Sequence, residues 1–158
     1  MLQLERLLQF HTSVRVLLCV DNDPVLDAAL AAIDWSVETT KWDELLVLHV
    51  APKAPLFLTK KGHDPRAGVD AFLSSVVERL SHLPVTIETM LAAGDPAESI
   101  VRTADRNEVD LIVMGARGES HDFPVGSVSQ KVAYLAETDV LVVRACEASP
   151  DVGSREAS

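Results

Sequence analysis

Three glycines and a serine in the last third of the chain have the spacing of an anion-binding loop. Gly115 and Gly118 follow the apolar segment 111–114, and after an interval of seven residues Gly126 and Ser127 lie directly before a segment of helical periodicity. Glycine lets a backbone approach a ligand without a Cβ in the way, and a serine at a helix start offers a hydroxyl beside backbone N–H groups. The positive end of the helix dipole adds to the attraction. The pattern therefore predicts a phosphate-binding loop.

Apolar segments that alternate with helix-like segments must position this loop. Four of the apolar segments are nearly continuous in Val, Leu and Ile, as strands covered on both faces are, whereas residues 85–88 alternate like an edge strand. This βαβ rhythm predicts a single-domain α/β fold, an open parallel five-stranded sheet with helices on both faces. The predicted strands are 14–20, 45–50, 85–91, 111–114 and 140–143.

Asp-Pro pairs indicate where helices begin. Asp23-Pro24, Asp64-Pro65 and Asp95-Pro96 each place an N-capping aspartate before a proline at the first helical position. We interpret these aspartates as helix start signals rather than catalytic residues. The helices that they and Ser127 introduce are predicted over 25–35, 67–80, a segment from 96 and 128–136.

Length, charge and cysteine content restrict the class of protein. At 158 residues and 47% apolar composition the chain suits one globular domain, and a net charge of −10 argues against binding to nucleic acid or anionic membranes. Cys19 and Cys146 lack the paired spacing of zinc or redox sites. The first ten residues carry internal charges with no cleavage site after them, so we expect a cytoplasmic protein.

The two termini differ from the central segment. We predict an N-terminal extension over 1–12, a domain over 13–146 and a disordered tail over 147–158. The leucines of the extension favour a short amphipathic helix, with fraying as the open alternative.

Ligands of open parallel sheets bind beyond the carboxyl ends of strands, where the strand order reverses. We expect the order 3-2-1-4-5, which brings Asp21 after the first strand to the same crevice as Gly115–Gly118 after the fourth. A carboxylate opposite a glycine loop suits a nucleotide, with base or ribose on the aspartate side. The Walker A motif, the dinucleotide fingerprint and the nucleophile elbow are absent from the sequence.

At these residues the chain resembles the universal stress protein family, in its ATP-binding branch. The family signature is Gly-x2-Gly-x9-Gly-Ser/Thr, and the chain has Gly115-x2-Gly118-x7-Gly126-Ser127, with an interval two residues shorter. The resemblance extends from about Ser13 to Arg144 and implies a Rossmann-like fold of the adenine nucleotide alpha hydrolase type.

The resemblance implies a ligand role for individual positions of this chain. Asp21 would contact the adenine side with Cys19 beside it, and the Val50 backbone would pair with adenine. His49 is interpreted as a half-buried, hydrogen-bonded histidine rather than a base. On the other side, Met114 and Gly115 would form the wall under ribose and phosphates. The implied triphosphate cradle is Gly118, Gly126, Ser127 and Val128, and Arg117 either faces the phosphates or is an exposed loop arginine.

The family also implies ATP, with AMP or cyclic AMP as alternatives, and Mg²⁺ or Mn²⁺ carried on the phosphates. No set of nucleophile, base and orienting residue is visible, so any ATPase activity would be slow. The alternative function is a degenerate nucleotide site in a dimeric protein-interaction module. An adenylating or flavin-type enzyme has only the fold in its favour. In either of the first two cases the edge strand Val140–Arg144, which is fully apolar over 140–143, predicts a homodimer, because an apolar strand edge that nothing covers tends to pair with another chain.

Overall fold

The computed structural model of the protein describes residues 14–21, 25–39, 42–51, 65–116 and 126–144. Strands and helices alternate along these residues. They are β1 (Arg15–Cys19), α1 (Leu26–Thr39), β2 (Glu44–Ala51), α2 (Pro65–Leu80), β3 (Thr86–Ala93), α3 (Pro96–Arg106), β4 (Leu111–Gly115), α4 (Ser127–Leu135) and β5 (Asp139–Val143).

The strands form one parallel sheet in the order β3-β2-β1-β4-β5. This confirms the predicted fold class and order, including the edge position of the alternating third strand. β1 lies at the centre, where Leu17 pairs with Leu46 of β2 on one side and with Ile112 of β4 on the other. The order reverses between β1 and β4, so the crevice beyond these two strands is the expected ligand position.

Aspartates on either side anchor the beginning of β1. The Val14 N–H donates to Asp43 Oδ2 at 3.0 Å, and the Arg15 N–H donates to Asp110 Oδ2 at 2.8 Å. The Arg15 side chain forms an ion pair with Glu44, and its Nη1 donates to the Asn107 carbonyl at 2.6 Å. These contacts lie at the amino end of the sheet, away from the crevice, and serve the fold.

Side chains of the strands alternate between two apolar cores. One core joins Val16, Leu18 and Val47 to α1 and α2, and the other joins Leu17, Ile112 and their neighbours to α3 and α4. Each core excludes water from one face of the sheet. Burial on both faces accounts for the nearly continuous apolar sequence of β1, β2 and β4.

Several predicted element boundaries differ from the structure. α1 continues to Thr39 rather than ending near Trp35. Ser36 is buried there, and its hydroxyl donates to the carbonyl oxygens of Ala32 and Ile33 at 2.6 and 3.1 Å, which satisfies a polar group inside the helix. β3 extends to Ala93 because β2 is equally long and pairs with it over its whole length.

The start of α3 has the predicted cap. Asp95 accepts the Glu98 N–H at 2.9 Å and Pro96 occupies the first helical position. At the other end of α3, Glu108 has φ 50°, a left-handed conformation that favours glycine. The Val109 and Glu108 N–H groups donate to Ala104 and Asp105, which forms a Schellman turn.

Other predictions fall on residues outside the described ranges. They are the extension 1–12, the tail 147–158, the caps Asp23 and Asp64, the cysteine Cys146, and the loop residues Arg117 and Gly118. Among the described helices, none has both the length and the apolar character needed to cross a bilayer.

Candidate functional site

A cavity of about 280 Å³ lies beyond the carboxyl ends of β1 and β4. Its size approaches the range of small-molecule sites. Its walls come from the ends of β1, β2 and β4, from the first turns of α1 and α3, and from the start of α4. The lining residues are Cys19, Val20, Asp21, Val25, Leu26, Ala29, Leu48, Val50, Pro96, Ile100, Met114, Gly115, Gly126, Ser127, Val128 and Ser129.

Hydrogen bonds between Val20, which directly follows β1, and β2 fix the wall on the β1 side. The Val20 N–H donates to the Leu48 carbonyl at 2.9 Å, and the Val20 carbonyl oxygen lies 3.0 Å from His49 Nδ1. His49 therefore donates from Nδ1 and carries its proton there. The half-buried ring also packs edge-on against Phe72, with centroids 5.7 Å apart. This histidine orients the segment before Asp21, as expected of a satisfied histidine.

Gly115 lines the cavity, yet its missing Cβ has a packing reason. A Cβ built there would lie 2.8 Å from Val25 Cγ1 and 3.0 Å from Val25 Cβ. Any side chain at this position would push the beginning of α1 away from β4. The glycine thus permits close contact between helix and strand, a role that the sequence motif alone did not indicate.

The start of α4 faces the cavity with backbone donors. Gly126 is the N-cap in extended conformation and offers no capping side chain, and the first described helical bond runs from the Gln130 N–H to the Gly126 carbonyl at 3.0 Å. The N–H groups of Ser127, Val128 and Ser129 have no partner within the helix. The Ser129 hydroxyl is already engaged, donating to the Gly126 carbonyl at 2.9 Å. These N–H groups and the helix dipole suit an anion.

The charge of the cavity wall is low. Among its described lining residues, Asp21 alone carries a formal charge. Cys19 remains a neutral thiol, because burial raises its pKa to about 12. The backbone dipoles on the α4 side suit an anionic group, and the aspartate suits hydroxyl or amine donors on the β1 side.

A lysine connects the two helix starts beside the cavity. Lys131 Nζ on α4 lies 3.2 Å from Asp95 Oδ1 and 3.3 Å from Glu98 Oε1 on α3. Hydrogen bonds to Asp95 and then Glu98 raise the pKa of Lys131. The pKa of Asp95 is lowered, first by the Glu98 N–H and then by Lys131.

Eight of the ten predicted ligand positions line this one cavity: Cys19, Asp21, Val50, Met114, Gly115, Gly126, Ser127 and Val128. Arg117 and Gly118 lie outside the described residues. Sequence reasoning missed Val25 directly before α1, Leu26 and Ala29 of α1, and Pro96 and Ile100 of α3. The Asp-Pro signals predict where these helices begin. The helix starts reach the cavity only because α1 and α3 pack on opposite faces of the sheet.

The structure describes no group of three or more His, Cys, Asp or Glu side chains that could hold a metal ion in residues 14–21, 25–39, 42–51, 65–116 and 126–144.

Comparisons of structure give the same fold in several solved proteins. Protein MJ0577 of Methanocaldococcus jannaschii superposes with a TM-score of 0.73 at 22% identity, over 85% of this chain and 97% of its own. A universal stress protein in complex with cAMP gives 0.65 at 24%, covering 84% of this chain and 97% of its own. An Arabidopsis thaliana family protein with AMP bound gives 0.62 at 21%, covering 88% and 97%.

Comparisons of sequence agree with the fold. The chain is 32% identical over 148 residues to universal stress protein YxiE of Bacillus subtilis (strain 168), an alignment that covers 82% of the chain and 98% of that relative. The model of the universal stress protein family matches residues 13–144, the same extent as the resemblance seen in the sequence. The chain therefore belongs to the universal stress protein family.

Proposed function

We propose that the protein binds an adenine nucleotide in the cavity beyond β1 and β4, with a regulatory role in stress response. One observation carries the proposal: a single cavity joins Asp21 on one wall to the first-turn residues of α4, with their backbone N–H groups, on the other. A base or ribose would occupy the apolar side near Cys19 and Val50, and phosphate would meet Gly126–Val128. The cAMP and AMP complexes of proteins with this fold support the ligand class.

Within that class we propose ATP with Mg²⁺ or Mn²⁺, and AMP or cyclic AMP as the alternatives. When bound, the ion would offset the negative charge of a triphosphate. The described lining residues of the cavity include no positively charged side chain that could do so. No side chain of the cavity needs to be assigned as its ligand, since phosphate and water can supply the oxygen donors. Backbone donors, an apolar base pocket and a metal are compatible with micromolar affinity, about −8 kcal/mol.

Replacement of Gly126 tests this proposal. Gly126→Leu places a bulky side chain at the mouth of the α4 donors, and Gly126 has φ −65°, which any residue adopts, so the fold should tolerate the change. We expect calorimetric titration with ATP, AMP and cAMP to show loss of binding, about 50-fold or more, with an unchanged circular dichroism spectrum.

Gly68→Leu is the matched control, because a Cβ at this exposed glycine of α2 meets nothing within 4 Å. The control should bind like the wild type. Unchanged nucleotide affinity of Gly126→Leu would refute the site.

A second candidate function is a dimeric interaction module of the same fold with a degenerate site. Exposed apolar side chains on β5 and on the last turn of α4 favour it: Leu141 of β5 is 38% exposed, and Tyr134 and Leu135 of α4 are 87% and 40% exposed. Mass spectrometry of acid extracts of the purified protein separates the two functions. Extracted nucleotide supports the binding protein, whereas an empty protein that gives no heat with ATP, AMP or cAMP supports the module.

A further inference from the structure

Two helix starts whose first turns differ in charge contribute residues to the same cavity. The first turn of α4 from Ser127 onward carries backbone N–H groups and the positive end of the helix dipole, which attract anions. α3 presents Pro96 to the same cavity and carries carboxylates in its first turn, Asp95 as the N-cap and Glu98 three residues later. These carboxylates stabilise α3 through its dipole, but they would repel a phosphate bound at the neighbouring helix start.

Lys131 stands between these helix starts. It follows Ser127 by four residues, so both lie on the same side of α4. Its ammonium group contacts both carboxylates, at 3.2 Å from Asp95 and 3.3 Å from Glu98. The raised pKa of Lys131 and the lowered pKa of Asp95 are consistent with a charged cluster at neutral pH. The contacts also join α3 to α4 close to the cavity.

We infer that Lys131 is a positioning and charge-compensating residue of the nucleotide site. The inference rests on the proposed function. Lys131 holds the start of α4 against α3 and offsets the two carboxylates that would otherwise oppose phosphate. Its contribution to ligand affinity should therefore grow with the negative charge of the ligand, whereas a purely structural bridge would affect all ligands equally.

The test is calorimetric titration of wild type and Lys131→Met with adenosine, AMP and ATP, in metal-free buffer of low ionic strength. The methionine keeps the length and packing of the lysine stem. We expect the affinity for ATP to fall about three- to tenfold, that for AMP less, and that for adenosine less than twofold. At 0.5 M NaCl the loss of ATP affinity in Lys131→Met should shrink to about twofold or less, because salt at this concentration screens interactions between charges more than a few ångströms apart.

Two further variants separate local compensation from overall charge and from folding. Arg106→Met also removes one positive charge, but at the far end of α3, and should leave all three affinities within about twofold of wild type. Asp95→Asn added to Lys131→Met restores the net charge while asparagine still caps α3. This double variant should recover ATP affinity to within about threefold of wild type.

The outcomes distinguish this inference from the function on which it rests. Wild-type protein that binds no adenine compound overturns both. If the wild type binds nucleotide and Lys131→Met loses affinity for AMP and ATP by the same factor, or loses none, the role of Lys131 is overturned. The nucleotide site itself is then retained. A melting temperature of Lys131→Met within a few degrees of wild type excludes unfolding as the cause of any loss.

Discussion

At the scale of single residues, the neutral thiol of Cys19 makes the stability of the folded protein depend on pH. Its pKa is raised from 9.0 to about 12 because burial disfavours the thiolate, and it packs against the apolar core on the α3 side. Above pH 9 the unfolded chain loses the thiol proton while the folded protein keeps it. The contribution of Cys19 to stability is therefore complete below pH 9 and falls as the pH rises towards 12.

This predicts a difference between wild type and Cys19→Ala in urea unfolding under reducing conditions. Between pH 8 and 10.5 the free energy of unfolding of the wild type should decline more steeply, by up to about 1.4 kcal/mol per pH unit above pH 9. Cys146→Ser removes the other thiol and measures its own share of the slope. Parallel pH profiles for wild type and Cys19→Ala would contradict the burial of this thiol.

At the scale of elements, the end of α3 contains a residue unsuited to its backbone conformation. Glu108 occupies the left-handed position of the Schellman turn, with φ 50°, which costs an L-residue about 1–2 kcal/mol relative to glycine. Replacing Glu108 by glycine would remove this cost, but part of the gain in stability is offset because glycine has more conformational freedom in the unfolded chain. Glu108→Gly should therefore raise the free energy of unfolding by about 0.5–1 kcal/mol, as measured by urea denaturation.

Asp105→Gly is the comparison for Glu108→Gly, since it also removes one exposed carboxylate and introduces glycine three residues earlier. Asp105 lies within the helix and accepts the Glu108 N–H. This variant should lower the free energy of unfolding by about 0.5–1 kcal/mol. If both glycine variants lose stability, the strain assigned to position 108 is wrong.

At the scale of the whole molecule, the two sheet edges differ in what surrounds them. β5 exposes Leu141, and α4, which packs against β5, exposes Tyr134 and Leu135 in its last turn. On the opposite edge β3 alternates, and Leu91 is its exposed large apolar side chain. We predict that the protein dimerises through β5. Leu141→Lys should convert dimer to monomer in sedimentation velocity at micromolar concentration, because a lysine on an edge strand opposes pairing.

Leu91→Lys makes the same substitution on the opposite edge, where the leucine is 45% exposed. It should leave the dimer intact. A wild type that sediments as a monomer, or a dimer lost in Leu91→Lys but not in Leu141→Lys, would rule out the β5 interface.

Much of the fold could be predicted from the sequence because local signals agreed with the tertiary structure. Each of three local patterns matches the position of its segment in the fold. They are the continuous apolar strands, the helix start at Asp95-Pro96 and the edge-like alternation of residues 85–88. The end of α1 could not be predicted, because Ser36 is buried through bonds to its own helix. The contact of Gly115 with Val25 joins residues 90 positions apart, and no local pattern reports it.

Most of the cavity wall is shared with the two apolar cores. Leu48, Ile100 and Met114 are buried core residues that also line the cavity, so selection for folding preserves the hollow whether or not a ligand is used. Asp21 and Ser127 are exposed and belong to neither core. In the evolution of such proteins the shape of the pocket should therefore be retained. Substitutions at Asp21 and Ser127 should indicate which proteins no longer bind a ligand there.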